Sequence, residues 1–392
     1  MRSVAEKLAP LKRMNWLMNA VVLIIIAVGV LFIHSACHVR EDATAHLHQQ
    51  QIVWAAVGLA VYLAIALVDY RRLRDVAWWF CVMTAVLLVA VLFVGTRIYG
   101  AKRWLMFMGV GVQPSELGKL AVIVAGACLL SPPAEKYERT PSIWWSFLLA
   151  GIPMALIAKE PDLGSSLVFL PIVMVMLFAT GAPLKPLLSL VAGGIVIVAA
   201  VLGAVALPEK MGMSPEHQDR FFRAIHLSGY QRDRIEVFLN IDSDPKGVGW
   251  NKRQSQIAVG SGGLMGKGYM KGTQNILGYL PRTVAPTDFI FPVIAEETGF
   301  IGSALLLGLY ALLLGCGLYA ALMARDKMGR MLCVGVVAMI FTHVFVNVAM
   351  TIGLVPIVGI PLPLISYGGT FMVVTLFALG LIQSVYVRRQ SF

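Results

Sequence analysis

Asp288 stands in the stretch APTDFIFPVIAEETGFIG (285–302), beside Phe289 and Phe291 and at the mouth of a long apolar run. An acid with an apolar flank holds its proton more tightly than one in water, which suits a general base. Thr287 and Asp288 are also the residue types that cap helix N-termini, so the same pair can simply start a helix. Glu296 and Glu297 fall on a later turn, where one of them is expected to pair with a basic group. The stretch QPSELGKL (113–120) sets Glu116 and Lys119 three residues apart, on one helical face. Pro114 and Ser115 ahead of them suit a helix start. The two charges neutralise each other as an ion pair, and they also form a charged patch able to face a cavity. AKEPDLGSS (158–166) adds Lys159, Glu160 and Asp162. Asp162 can cap the helix that follows, and so short a loop holds it close to its neighbours. His343 and Asn347, four apart, read as an interhelical hydrogen-bond pair.

GSGGLMGKG (260–268) looks like a nucleotide-phosphate loop, but the spacing fails. A Walker loop runs G-x-x-x-x-G-K-[ST]. Here Ser261 stands where the first glycine belongs, and Gly268 follows the lysine. The stretch can still offer backbone N–H groups and Lys267 to an anion, or be only a tight turn system.

These residues need elements to position them, and composition says which. Charged residues make up 14% of the 392 and hydrophobic ones 58%, with mean hydropathy +0.78. That is too little polar surface for a soluble domain, so the chain reads as one all-α polytopic membrane unit. The net charge of +11 comes mostly from residues flanking apolar runs, which points to topology and anionic lipid. No basic face with interleaved aromatics occurs, so nucleic acid is excluded as a partner. Cys37, Cys81, Cys128, Cys316 and Cys333 lie in or beside apolar runs without a C-x-x-C, which argues against metal and disulfide roles. The run ending IHSAC is read as an uncleaved first span.

A span needs about 20 apolar residues. Ten candidates follow: 16–36, 51–69, 76–95, 116–131, 143–158, 164–182, 186–207, 289–323, 331–355 and 364–387. The eighth is too long for a simple span, so its first third is expected at the outer interface or along a cavity. The Pro- and Gly-rich VPIVGIPLPLISYGG (355–369) must be irregular backbone, tolerated at that depth only against protein or water. Short loops on one side carry Arg2, Lys7, Lys12, Arg13, DYRRLRD (69–75), Lys136, Arg139, Lys185, ARDKMGR (324–330), Arg388 and Arg389. The other side carries chiefly Arg40, Arg97, Lys102, Arg103 and Lys159. Both termini are therefore expected in the cytoplasm, with residues 208–287 as a long extracytoplasmic loop.

QPSELGKL, EPDLGSS, QSQIAVGSGGLMGKGYMKGTQ, TDFIFPVIAEETGFIG and GIPLPLISYGGT, in this order, resemble the signature blocks of the SEDS family. These are bacterial polytopic glycosyltransferases that polymerise lipid II into peptidoglycan. SDPKGVGW and the glycine-rich block resemble the family's elongation branch, concerned with cell shape, more than its division branch. The resemblance implies ten spans, an essential acid at Asp288, and cavity-lining charges at Glu116, Lys119 and Asp162. Two departures stand out. The usual L-P-E-R-H-T-D-F reads LPRTVAPTDF here, which leaves no Glu or His in those roles, and Q-P-D reads EPD.

The implied reaction joins two lipid-linked sugars outside the bacterial inner membrane with inversion at the anomeric carbon. Asp288 would be the base. Arg103, Lys119 and Lys267 would meet the pyrophosphate, with or without a divalent cation (Mg²⁺ or Mn²⁺) and without any nucleotide. Glu116 would orient Lys119, Asp162 would shape the cavity or help hold a metal, and Ser366 in the last block is counted with the substrate-binding residues. The implied partners are lipid II, a class B penicillin-binding protein and membrane lipids. The rival reading is a lipid II flippase, which needs a polar path through both leaflets; the polar residues here concentrate at the outer ends of the spans.

Overall fold

The computed structural model describes residues 11–38, 45–98, 101–107, 109–132, 143–160, 162–210, 217–218, 220, 222, 229–281 and 284–389. Arg2, Lys7, Arg40, Lys136, Arg139, Pro161, Arg282 and Thr283 lie outside this set.

In hydrocarbon a backbone must satisfy its own hydrogen bonds, so apolar runs fold as helices. Every one of the ten apolar stretches is helical. They are α1 (Trp16–Cys37), α2 (Leu47–Leu67), α3 (Leu73–Val94), α4 (Pro114–Leu129), α5 (Ile143–Lys159), α6 (Leu163–Leu167) with α7 (Phe169–Ala179), α8 (Leu184–Lys210), α12 (Ile290–Leu322), α13 (Lys327–Thr351) and α14 (Gly369–Val387). Among the described residues between α8 and α12 lie α9 (Gly229–Leu239), α10 (Val248–Ser261) and the short α11 (Thr273–Ile276), so the long loop carries helices of its own. Among the described residues, seven helices are long and apolar enough to cross a membrane by length and composition. The 16-residue α4, the 17-residue α5 and the pair α6–α7 are shorter.

α13 and α14 form the centre, with most of their apolar stretch buried, whereas α8 keeps almost all of its own exposed. Buried polar side chains stitch the centre together, as expected where helices meet in an apolar phase. Gln383 on α14 donates to Asn19 Oδ1 on α1 at 2.7 Å, and Tyr62 on α2 donates to the same oxygen. Two of the basic loops assigned to one side also meet, through Arg71 and Asp326 at 3.3 Å.

Two features go beyond a bundle of rods. A three-stranded antiparallel sheet, β1 (Thr96–Ile98), β2 (Ala101–Phe107) and β3 (Val110–Val112), fills the connection between α3 and α4. It is a small addition to the all-helical expectation. The second is the break of α12 at Gly299, where φ is 68°. The piece ahead of it, from Ile290 to Glu297, is buried.

The glycine-rich stretch packs backbone to backbone against that break. Lys267 N–H donates to the Glu296 carbonyl at 3.0 Å, Gly268 N–H to Glu297 at 2.9 Å, and Phe300 N–H to Gly263 at 2.8 Å. Its N–H groups thus serve helix carbonyls, which makes it a tight turn system. Gly266 has φ of 78°, and a Cβ there would lie 2.1 Å from the Glu297 carbonyl oxygen. Gly263 also has positive φ, 56°, but faces open space. Gly263→Ala should therefore cost only backbone strain, about 1–3 kcal/mol. Gly266→Ala adds a clash to that strain and should lower the unfolding temperature in detergent well beyond Gly263→Ala. Equal melting of the two variants would refute this account.

Candidate active site

The ends of α2, α4, α6, α12 and α14 assigned to the outer side converge on one cavity of about 550 Å³. Each end supplies its residues for a local reason. Pro114 occupies the first turn of α4, where its missing N–H is harmless, and this sets Glu116 in that turn. Strand β2 carries Arg103 and Trp104 into the wall, and Gln50 and Trp54 come from the first turns of α2. Asp162 caps α6, accepting from Ser165 N–H at 3.1 Å and from Ser165 Oγ at 2.9 Å. It is a cap and a cavity wall at once, so the two readings of this residue coexist.

Asp288 lines the cavity just ahead of α12. Its backbone is pinned by Asn347, whose Nδ2 donates to the Asp288 carbonyl at 2.9 Å and to the Ile360 carbonyl at 2.7 Å. Asn347 thus ties α13 to the irregular 355–369 segment and to Asp288. Gly359, with φ of 71°, lets that segment approach closely: a Cβ there would sit 3.1 Å from Asp288 Oδ2 and 3.8 Å from Arg234 Nη2. Burial pushes the Asp288 carboxyl up to about 6; Arg234 opposes the rise, Asp162 adds to it, and Arg103 opposes it. Arg103 Nη1 lies 3.8 Å from Asp162 Oδ2, and Gln113 Nε2 donates to the same oxygen at 3.4 Å.

Beneath the cavity floor, Lys119 Nζ donates to Glu116 Oε1 at 2.8 Å, and both side chains are buried. The ammonium also donates to His343 Nε2 at 3.0 Å, which puts the imidazole proton on Nδ1 because an ammonium has only donors. The His343 ring stacks on Phe371 at 5.2 Å, and Phe371 lines the cavity. His343 is therefore an interhelical partner, but of Lys119, while Asn347 bonds to loops.

Of the residues singled out in the sequence, Asp288, Asp162, Arg103 and Glu116 line the cavity together. Three do not. Lys119 sits below the floor and reaches the cavity through Glu116 and through Phe371, over whose ring its ammonium lies at 6.0 Å. Lys267 is drawn off by buried Glu296, donating to Oε1 at 2.6 Å, and by Thr273 at 3.1 Å. Ser366 is buried with its hydroxyl engaged by backbone, donating to the Thr287 carbonyl at 2.5 Å and accepting from Leu362 N–H at 2.8 Å. It shapes the 355–369 turn that holds Asp288. The pairing expected for one of Glu296 and Glu297 is present at Glu296, while Glu297 accepts from Ser35 Oγ at 2.5 Å and from Met270 N–H at 3.1 Å. Arg234 escaped the sequence reading, since nothing in QRDRIEVF signals a contact with a residue 54 positions on.

Residues 15–391 match the protein family FTSW_RODA_SPOVE, described as cell cycle protein. The chain is 36% identical to the peptidoglycan glycosyltransferase MrdB of Escherichia coli K12, over 87% of this chain and 86% of that one. It is 31% identical to the peptidoglycan glycosyltransferase RodA of Treponema pallidum, over 96% and 98% of the two chains. Among solved structures it resembles a chain of a peptidoglycan synthase complex that coordinates polymerization and crosslinking. That match has TM-score 0.73 at 30% identity and covers 95% and 97% of the two chains. It also resembles the rod shape determining protein RodA of Thermus thermophilus, with TM-score 0.65 at 28% identity, covering 97% and 98%.

Proposed function

The chain belongs to the FtsW/RodA/SpoVE family, and on that premise we propose that it is a membrane-embedded peptidoglycan glycosyltransferase that polymerises lipid II for cell elongation. The observation that carries the site assignment is Asp288 on the wall of the cavity, with its proton affinity raised and cationic groups beside it.

The donor sugar carries undecaprenyl pyrophosphate on its anomeric carbon. An acceptor hydroxyl of the next lipid II attacks that carbon from the opposite face. The new C–O bond forms as the bond to pyrophosphate breaks, the hydroxyl proton passes to Asp288, and the lipid pyrophosphate leaves with the bonding electrons. This sequence inverts the anomeric centre with one base and no protonating acid, because the leaving group is already a good one once its charge is met. Arg103 lines the cavity and meets that charge, with Arg234 close to Asp288. Among the described residues no three His, Cys, Asp or Glu side chains gather around one point, and no step is routed through a resident metal ion. A divalent cation is proposed only as a companion of the incoming pyrophosphate, and no nucleotide takes part.

The setting proposed is the bacterial inner membrane, both termini cytoplasmic, residues 208–287 outside, and a class B penicillin-binding protein alongside to cross-link the product. The deciding experiment is lipid II polymerisation by the purified chain in detergent, with and without such a partner, with Mg²⁺ or chelator. Glycan ladders support the proposal. No ladder under any condition, together with lipid II translocation in vesicles, would establish the flippase instead.

A further inference from the structure

Glu160 has no part in the reaction described above, yet it stands two residues from Asp162 on the cavity wall. Its side chain is buried, with 2% of the residue exposed, and neither carboxyl oxygen has a hydrogen-bond partner. A carboxylate in that position is costly, and such groups neutralise by keeping a proton. The backbone tightens the case. The N–H groups of Glu160 and Asp162 both donate to the Ile157 carbonyl, at 3.0 and 3.3 Å, so the two acids share one turn at the C-terminal end of α5. A helix C-terminus is itself partly negative, which disfavours a second charge there.

The charged groups that face Glu160 are Asp162 from its own turn and Arg103 from β2. Lys159, next in sequence, is exposed, and Asp288 in the same cavity interacts with Asp162 and Arg103 in turn. Arg103 stands 3.8 Å from Asp162, longer than a direct hydrogen bond, and both side chains are largely buried. Arg103 thus stands beside Asp162, which lines the cavity, and its charge also reaches Glu160.

We infer that Glu160 is a positioning residue that works protonated: neutral, it leaves Arg103 to Asp162 and to an anionic pyrophosphate in the cavity, and ionised, it draws Arg103 back and adds repelling charge behind that wall. The inference rests on reading the cavity as the lipid-pyrophosphate site. Burial lifts the Glu160 carboxyl to about 8, with Asp162 adding to the rise and Arg103 opposing it, so the change falls in mildly alkaline solution. Below that range the group is neutral and the anion is held; above it the group is charged and the anion is lost.

The test is binding of undecaprenyl pyrophosphate to the purified full chain in detergent, from neutral to alkaline pH. The wild-type Kd should rise above pH about 8, approaching ~10-fold per pH unit if only the neutral form binds. Glu160→Gln, fixed in the neutral state, should keep its neutral-pH affinity throughout. A wild-type Kd that stays flat, or a Glu160→Gln variant that loses affinity as the wild type does, overturns the inference. Infrared spectra read the proton directly on the unaltered chain. A protonated-carboxyl band that titrates in the wild type and is missing from Glu160→Gln is expected, and no such difference also overturns it. A chain that binds the lipid with this pH dependence but makes no glycan would sink the polymerase reading and leave the role of Glu160 standing.

Discussion

Asp288→Asn is expected to abolish glycan polymerisation while the protein still folds and binds lipid II. The substitution keeps the shape of the side chain, and the bond from Asn347 goes to the backbone carbonyl of residue 288, which the change leaves in place. What is lost is the only feature the proposed step needs from this side chain, a pair of electrons for the hydroxyl proton. A positioned base contributes about 10²–10⁴-fold, so turnover measured as lipid II consumed or glycan formed should fall by at least that much. Normal polymer from a well-folded variant would remove Asp288 from the mechanism.

The wild-type enzyme carries a second signature of the same residue. A base must be deprotonated to act, and burial has moved this carboxyl up to about 6. The rate should therefore fall as pH drops through about 6, well above the range of an ordinary carboxylate. Arg234 is the first group opposing that rise, so Arg234→Gln should move the acid limb to higher pH. A limb that stays in place would mean that Arg234 does not set the proton affinity of Asp288.

The sequence made the helices legible because hydrocarbon imposes a single rule on long apolar runs. The same rule exposed the site: Glu116, Asp162 and Asp288 drew notice because charge near a bilayer is costly, and all three line the cavity. Lys267 met the same criterion and lies elsewhere, because cost says that a charge needs a partner and not which partner it has. Its partner is Glu296, some 29 residues away, and only the fold reveals that the glycine-rich stretch folds back onto the broken helix. The small sheet was hidden for a different reason. Strands of three and seven residues carry too few alternations to stand out from a loop, so the delivery of Arg103 and Trp104 by β2 was not foreseeable. Arg234 is the converse of Lys267. It sits in a polar segment where an arginine attracts no attention, and its importance comes wholly from the approach of that segment to Gly359 and Asp288.

Lys119→Met should destabilise the protein more than any other single change considered. It leaves the Glu116 carboxylate buried without its cation, and breaking a buried ion pair from one side costs about 3–5 kcal/mol. It also takes the donor from His343 Nε2. Removing both charges is a different matter, since a buried pair replaced by neutral groups of like shape is often no less stable. Glu116→Gln with Lys119→Met should therefore recover much of the unfolding temperature lost by Lys119→Met alone. Exchanging the two charges is less informative, because residue 116 lines the cavity and residue 119 does not, so the exchange would put a cation on the wall. The double neutral variant separates structure from chemistry. If Lys119 serves only to neutralise Glu116, polymerisation should return along with stability. If stability returns and polymerisation does not, the negative charge of Glu116 on the cavity wall takes part in holding the substrate, and Lys119 acts by keeping that charge in place.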